Sequence, residues 1–242
     1  MFAYYQEGKR MIANKKEFGG GLVLMAGFWI VFAIFLSPVF PGQDKKVNML
    51  DYMDSMYNSI SKKSAYYIPA AREKAEAFKG NTITLNIKTD ENLSAQRLTT
   101  ILQQAGATVQ AGEKEIKVSG DLGAILNAVL ADADAMFAND GQAVSARYGS
   151  GEKQAMFDWY NALKSMEKSL NKQEKFKESK ILYQVRTKTV EPAYNYYGIE
   201  AQSIKDNAIL MILSLVGYVI YTMWFGFAFL FMFEGWGLKL ER

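Results

Sequence analysis

Few side chains in this sequence can do chemistry, and their spacing narrows the field further. There is neither Cys nor His. That removes disulfides, thiolate metal sites, Fe–S clusters and cysteine nucleophiles, together with the usual haem and zinc ligand and the commonest general base. Ser-His and Cys-His triads cannot be built, and no G-x-S-x-G elbow is present. Gly149, Gly151 and Lys153 look superficially like a phosphate loop. The GxxxxGK[ST] spacing is missing, however, and Lys153 follows Glu152 rather than glycine, so the run reads as a loop opening a helix. Asp132, Asp134, Asn139, Asp140 and Gly141 are the residue types of a calcium loop. Their order is wrong and no glutamate stands at the twelfth position. Asp132 and Asp134, two apart on a predicted helix, do not share a face. Any two carboxylates can meet in space, but nothing in the pattern selects a pair. The expectation is a chain with no catalytic, cofactor-binding or metal-binding residue.

The elements that would position any site are dominated by two apolar blocks. Residues 19–40 and 208–233 carry no charge over 22 and 26 residues. About 20 apolar residues suffice for a helix to cross the hydrocarbon of a bilayer. Pro38 and Pro41 mark the far end of the first block. The block is longer than the apolar region of a signal peptide and no A-x-A site follows, so it reads as an uncleaved anchor. Lys and Arg near the spans number four before the first and two after the second. Two follow the first and two precede the second, on the side of the intervening loop. That balance predicts two passes through the plasma (inner) membrane. Both termini are then cytoplasmic, with a periplasmic or extracellular domain between the spans. Residues 1–18 read as a cytoplasmic segment, with an interfacial helix and a frayed tail as alternatives, because Tyr4, Met11 and Phe18 recur every seven. Residues 234–242 form a cytoplasmic tail.

Small residues recur in the first span: Gly19, Ala26 and Ala33 every seven, with Gly20 and Gly27 beside them. Such a stripe lets another helix backbone approach closely, and close packing drives association in lipid. The second span offers Gly217 and the mid-depth Tyr218 and Tyr221, whose hydroxyls need acceptors that lipid cannot supply. These eight residues are the expected helix-packing positions. Neither span holds Asp, Glu, Lys, Arg or His, which argues against an ion or proton pathway made by this chain alone.

Between the spans the pattern predicts an α+β domain. Residues 41–80 read as a helical stalk or amphipathic helix, with Leu50, Met53, Tyr57, Ile60 and Tyr67 as its stripe and Pro69 as an interruption. Thr82–Lys88 alternates as a half-buried strand. A helix over 93–105 follows, capped by Asp90 or Asn92, with Leu98, Ile101 and Leu102 apolar. Residues 108–110 and 115–119 read as a hairpin turning at Gly112 and Glu113. Asp121 opens a helix over Leu122–Phe137, with Gly141 at its end. Met156, Trp159, Leu163, Met166 and Leu170 keep 3,4,3,4 spacing along a further helix. Residues 181–189 read as a last strand. The resulting order, with one extra helix, is close to the ferredoxin-like β-α-β-β-α-β arrangement, the expected fold of the domain at 81–190. Residues 191–207 return to the bilayer, with Tyr194, Tyr196 and Tyr197 near the headgroups.

A net charge of +3, evenly spread, gives no footprint for nucleic acid. The expected partners are the lipid bilayer and other membrane-protein subunits or copies of the same chain. In architecture the layout resembles two kinds of family. Pilus and secretion-machine alignment proteins share the short inner tail, the span, the helical stretch and the ferredoxin-like domain, but have no second span. Polysaccharide chain-length regulators share two terminal spans around an α/β domain. They usually carry a proline-rich motif at the second span, where this chain has none. Architecture does not assign function. The leading expectation is a non-catalytic structural or assembly subunit of a membrane complex, with an outer docking domain. The alternative is an accessory subunit of a respiratory or transport complex whose cofactors sit in other chains. A sensor or an outer enzyme are the remaining classes, and a nine-residue tail leaves no room for a sensor's output domain.

Overall fold

The computed structural model describes residues 12–42, 45–88, 94–112 and 115–238. Much of the predicted interfacial helix, the caps Asp90 and Asn92, the turn residue Glu113 and the tail residues Lys239 and Arg242 lie outside the described residues. The chain divides into two compact units. One comprises the two ends of the chain, up to Tyr57 and from Ser203 onward, and the other is Asn58–Gln202.

The first unit is built on two long helices, α1 (Lys15–Leu36) and α10 (Ile204–Gly235), both long and apolar enough to cross a membrane. The α1 N-terminus is set by Asn14, whose side chain accepts from the Lys16 and Glu17 amides. Its C-terminus falls at Leu36, four residues short of the end of the apolar block. Pro38 disfavours helical backbone at Ser37, which is extended at ψ 143°. Phe40 instead forms an isolated antiparallel bridge with Val47. Helix α10 starts at the Ser203 cap and outruns the predicted span at both ends.

Helix α2 (Met49–Ser64) carries the chain from the first unit into the second. Its buried side shares Ile60 with the predicted stripe and otherwise differs from it. Leu50, Tyr57 and Tyr67 are exposed, while Met56, Ser59, Ile60 and Lys62 are buried. Helix α3 (Ile68–Glu76) carries Pro69 in its first turn, where the N–H that proline lacks would have no partner within the helix. Ile68 and Ala75 belong to the core of the second unit, so α3 is part of that body.

Three antiparallel strands follow, β1 (Thr82–Lys88), β2 (Thr108–Ala111) and β3 (Glu115–Asp121), in the order β1-β3-β2. Helix α4 (Ala95–Gln104) lies between β1 and β2 in the chain, and α5 (Leu122–Phe137) follows β3 directly. Asp121 caps α5 by accepting from the Gly123 and Ala124 amides. The period-2 pattern puts Ile83, Leu85, Ile87, Ile116 and Val118 on one fully buried face. Helix α7 (Glu152–Lys172) buries the whole 156/159/163/166/170 stripe.

Two readings of this region change. Gly141 does not close α5. Asn139 does so in a left-handed conformation (φ 63°), and Gly141 opens a short helix, α6 (Gly141–Tyr148), capped by Asp140 and ended at left-handed Gly149. Residues 181–189 are not a strand. They lie in α8 (Phe176–Val185) and a π-helical segment (Arg186–Val190), which leads into α9 (Glu191–Asn195). Ile181, Tyr183 and Val185 alternate as in a strand, but the buried set is Ile181, Leu182, Val185, Arg186, Thr189, Val190 and Ala193, with helical spacing. The π segment has a local cause. Pro192 cannot donate into the helix, and the Glu191 amide reaches back five residues to the Arg186 carbonyl. Without that strand the sheet has three strands, and the ferredoxin-like order is not completed.

Candidate functional site

The two long helices are antiparallel neighbours. The Asn14 amide donates to the Gly235 carbonyl at 2.9 Å, and the Trp224 indole N–H donates to the Leu24 carbonyl at 3.0 Å. The Tyr221 hydroxyl donates to the Phe28 carbonyl at 3.3 Å, and the two rings stack at 4.3 Å between centroids. Closest approach is at glycine. A Cβ on Gly21 would sit 2.7 Å from the Met232 nitrogen and 2.8 Å from the Ala228 oxygen, and one on Gly235 would overlap the Phe18 backbone. The seam therefore repeats every seven residues on both helices: Asn14, Gly21, Phe28 and Phe35 on α1, and Tyr221, Ala228 and Gly235 on α10.

The eight positions picked from sequence divide between seam and open surface. Gly27 lies against the Trp224 ring, 3.0 Å from a Cβ built there, and Tyr221 is in the seam. A Cβ on Gly19, Gly20 or Gly217 would meet nothing within 4 Å. Ala26 and Ala33 are exposed, and Tyr218 is 68% exposed with no hydrogen bond to a described residue. The geometry is simple. The 19/26/33 heptad is two residues behind 21/28/35, a rotation of about 200° around the helix. The seam glycine, Gly21, sits in the same sequence block as Gly19 and Gly20, and the 14/21/28/35 repeat was available as a signal. Its large aromatics do not look like a close-packing surface in a string of letters.

In the second unit the buried carboxylates have partners. Asp132 is fully buried and accepts from the Arg147 guanidinium, the Tyr148 hydroxyl and, at 2.8 Å, the Trp159 indole. Burial pushes its carboxyl above the usual value, against the opposing pull of those donors. Burial also raises the Tyr148 phenol, and the Asp132 carboxylate adds to the shift. Asp134 faces elsewhere, to Arg72 at 3.0 Å and Tyr66 at 2.7 Å, as its spacing from Asp132 requires. Asp158 is held by Arg97 and Gln154. Arg186 donates to Tyr160 and Glu167 and lies over the Tyr160 and Tyr183 rings.

Lys62 holds the beginning of this unit to its end. Its ammonium donates to Asn139 Oδ1 at 2.8 Å and to the Ile199 carbonyl at 2.6 Å, and sits over the Phe137 ring. Asn139 also accepts from the Gly198 amide and donates to Ile199. Burial lowers the Lys62 pKa, partly offset by Glu200. Nothing in the sequence singles out Lys62, because buried lysines are rare and need their partners to be visible.

Apart from the Arg186 Nε, which is buried with no hydrogen-bond partner among the described residues, these groups are met by side chains and backbone carbonyls of the unit itself. Among the described residues no group of three or more acidic side chains can hold a metal ion. Comparison with known proteins adds no assignment: no family model, no curated protein and no solved structure matches the chain.

Proposed function

We propose that this chain is a two-span membrane protein acting as a non-catalytic assembly subunit, associating through its spans with copies of itself or with other subunits. One observation carries the reading. The α1–α10 seam uses one side of each helix and leaves the 19/26/33 small-residue stripe and the Gly217–Tyr218 surface uncovered. Large apolar side chains such as Val23, Ile30, Ile209 and Leu213 also face outward. In water such surface is costly, and hydrocarbon removes that cost. A lipid environment in turn leaves the Tyr218 hydroxyl short of an acceptor, which a neighbouring subunit's helix provides. The antiparallel pairing brings residues 14 and 235 to the same end of the pair. That fits two termini on one side of the membrane, which we place in the cytoplasm from the Lys and Arg balance.

The test is native mass determination of the full chain extracted in mild detergent. The parental protein runs as a multi-chain species. Ala26→Leu and Gly217→Leu insert normally but run smaller, while Ile34→Leu, exposed and about 100° around the helix from Ala33, keeps the parental mass. A parental protein that is monomeric both in mild detergent and after cross-linking in membranes would sink the proposal. Co-purification of haem- or flavin-bearing chains turns it toward the accessory-subunit form.

A further inference from the structure

The sheet of the second unit has one apolar and one polar face, and β1 is an edge strand. Residues alternate along an antiparallel edge. One set exchanges backbone bonds with the neighbour and the other aims both its N–H and its C=O outward. The Thr84 carbonyl accepts from the side chain of Gln173, the residue that caps the C-terminus of α7, at 3.0 Å, so Thr84 belongs to the outward set, and Asn86 two residues on shares its direction. Among the described residues no hydrogen bond engages the Asn86 backbone on that side. A β-α-β-β-α-β chain would place its last strand against this edge. Here 141–195 is occupied by helices and their short connections, and the edge stays without a strand.

A groove of about 710 Å³ follows this edge, between β1, the polar face of β3 and the outer side of α7. Four ammonium groups ring it, those of Lys88, Lys117, Lys168 and Lys172, against one carboxylate, Glu115, which is 3.9 Å from Lys88. Among the described residues no carboxylate comes within 4 Å of the other three. No aromatic ring lines the groove, so it offers no stacking platform for bases. Outward backbone groups call for another backbone, and unpaired ammonium groups call for carboxylates.

We propose that the groove between β1 and α7 binds an extended acidic peptide segment of a partner protein, which adds to the strandless edge of β1 as a fourth strand and takes the place of the Gln173 side chain at the Thr84 carbonyl. Side chains of an added strand alternate between the two faces. Acidic residues at every second position then point the same way, toward lysines of the groove. The site is independent of the membrane reading.

The probe is a labelled hexapeptide of alternating Glu and Val, titrated by fluorescence anisotropy into the full chain in mild detergent. Saturable binding is expected, weakened about ten-fold or more by the double substitution Lys168→Glu and Lys172→Glu. Both lysines are exposed, and circular dichroism checks that the fold is kept. Two further peptides carry N-methyl groups on one parity of residues or the other. One parity loses binding and the other keeps it, because only one row of amides faces β1. Equal binding by both methylated peptides overturns strand addition. Displacement by a sulfated oligosaccharide without sensitivity to methylation shows a general polyanion site and overturns the peptide assignment, as does absence of saturable binding.

Discussion

The two units bury opposite kinds of residue. In the Asn58–Gln202 unit the fully buried side chains include large ones, Trp159 and isoleucines and leucines of α3, β1, α4, β3, α5, α7 and α8. In α1 and α10 the buried residues are Gly21, Ala228 and Gly235, and the large side chains face out. Water accounts for the first arrangement, since each large apolar group removed from it stabilises the fold by about 1.5–3 kcal/mol. The second is what an apolar surround produces. There, exposing leucine costs nothing, and two helices associate by letting their backbones approach where side chains are smallest. Polar groups differ as well. In the globular unit Asp132 and Asp158 are buried with side-chain partners, whereas in the helix pair Tyr221 and Trp224 turn to backbone carbonyls of the opposite helix.

The largest effect that sharpens this contrast is expected at Asp132. Asp132→Ala strands the Tyr148 and Trp159 donors and unpairs Arg147. It should destabilise the globular unit by about 3–5 kcal/mol, read by urea unfolding. A loss below about 1 kcal/mol would mean that Asp132 is not the polar centre of that unit. Next comes the seam. Gly21→Leu forces a side chain into the Met232 and Ala228 backbone and should weaken helix pairing by about 1–3 kcal/mol in an SDS titration of mixed micelles. Gly20→Leu, one residue away in open space, should stay within about 0.5 kcal/mol of the parent. Equal effects at the two positions would erase the distinction between seam and open surface.

The smallest effect is a slope. Burial lowers the Lys62 pKa below its ordinary 10.5, so between the folded and unfolded values the unfolded chain holds the extra proton. Stability contributed at this site therefore rises as pH climbs through that window. Lys62→Met should flatten the alkaline part of the stability profile relative to the parent, measured by denaturant unfolding at a series of pH values. An unchanged difference between the two proteins across that range would show that Lys62 does not titrate with folding.

Much of this was legible in the residues themselves, because local periodicity and caps are properties of neighbouring letters. The alternation Ile83, Leu85, Ile87 marks β1, Asp121 marks the start of α5, and the 156/159/163/166/170 spacing marks the buried side of α7. The two uncharged blocks mark α1 and α10. What lies opposite an element is not in its own letters, and there the tertiary structure decided. Residues 181–189 alternate well enough for a strand, yet their apolar positions also fit a helix, and packing against the core selected the helix. Asp132 is an ordinary helix residue until Arg147, Tyr148 and Trp159 converge on it from two later helices. In α1 the small residues occur on more than one side, and only the presence of α10 against Gly21 and Phe28 determines which side closes and which, with Gly19, Ala26 and Ala33, stays open. A helix carries its faces in its sequence, but burial is a property of pairs of faces, and a pair forms only when the whole chain has folded.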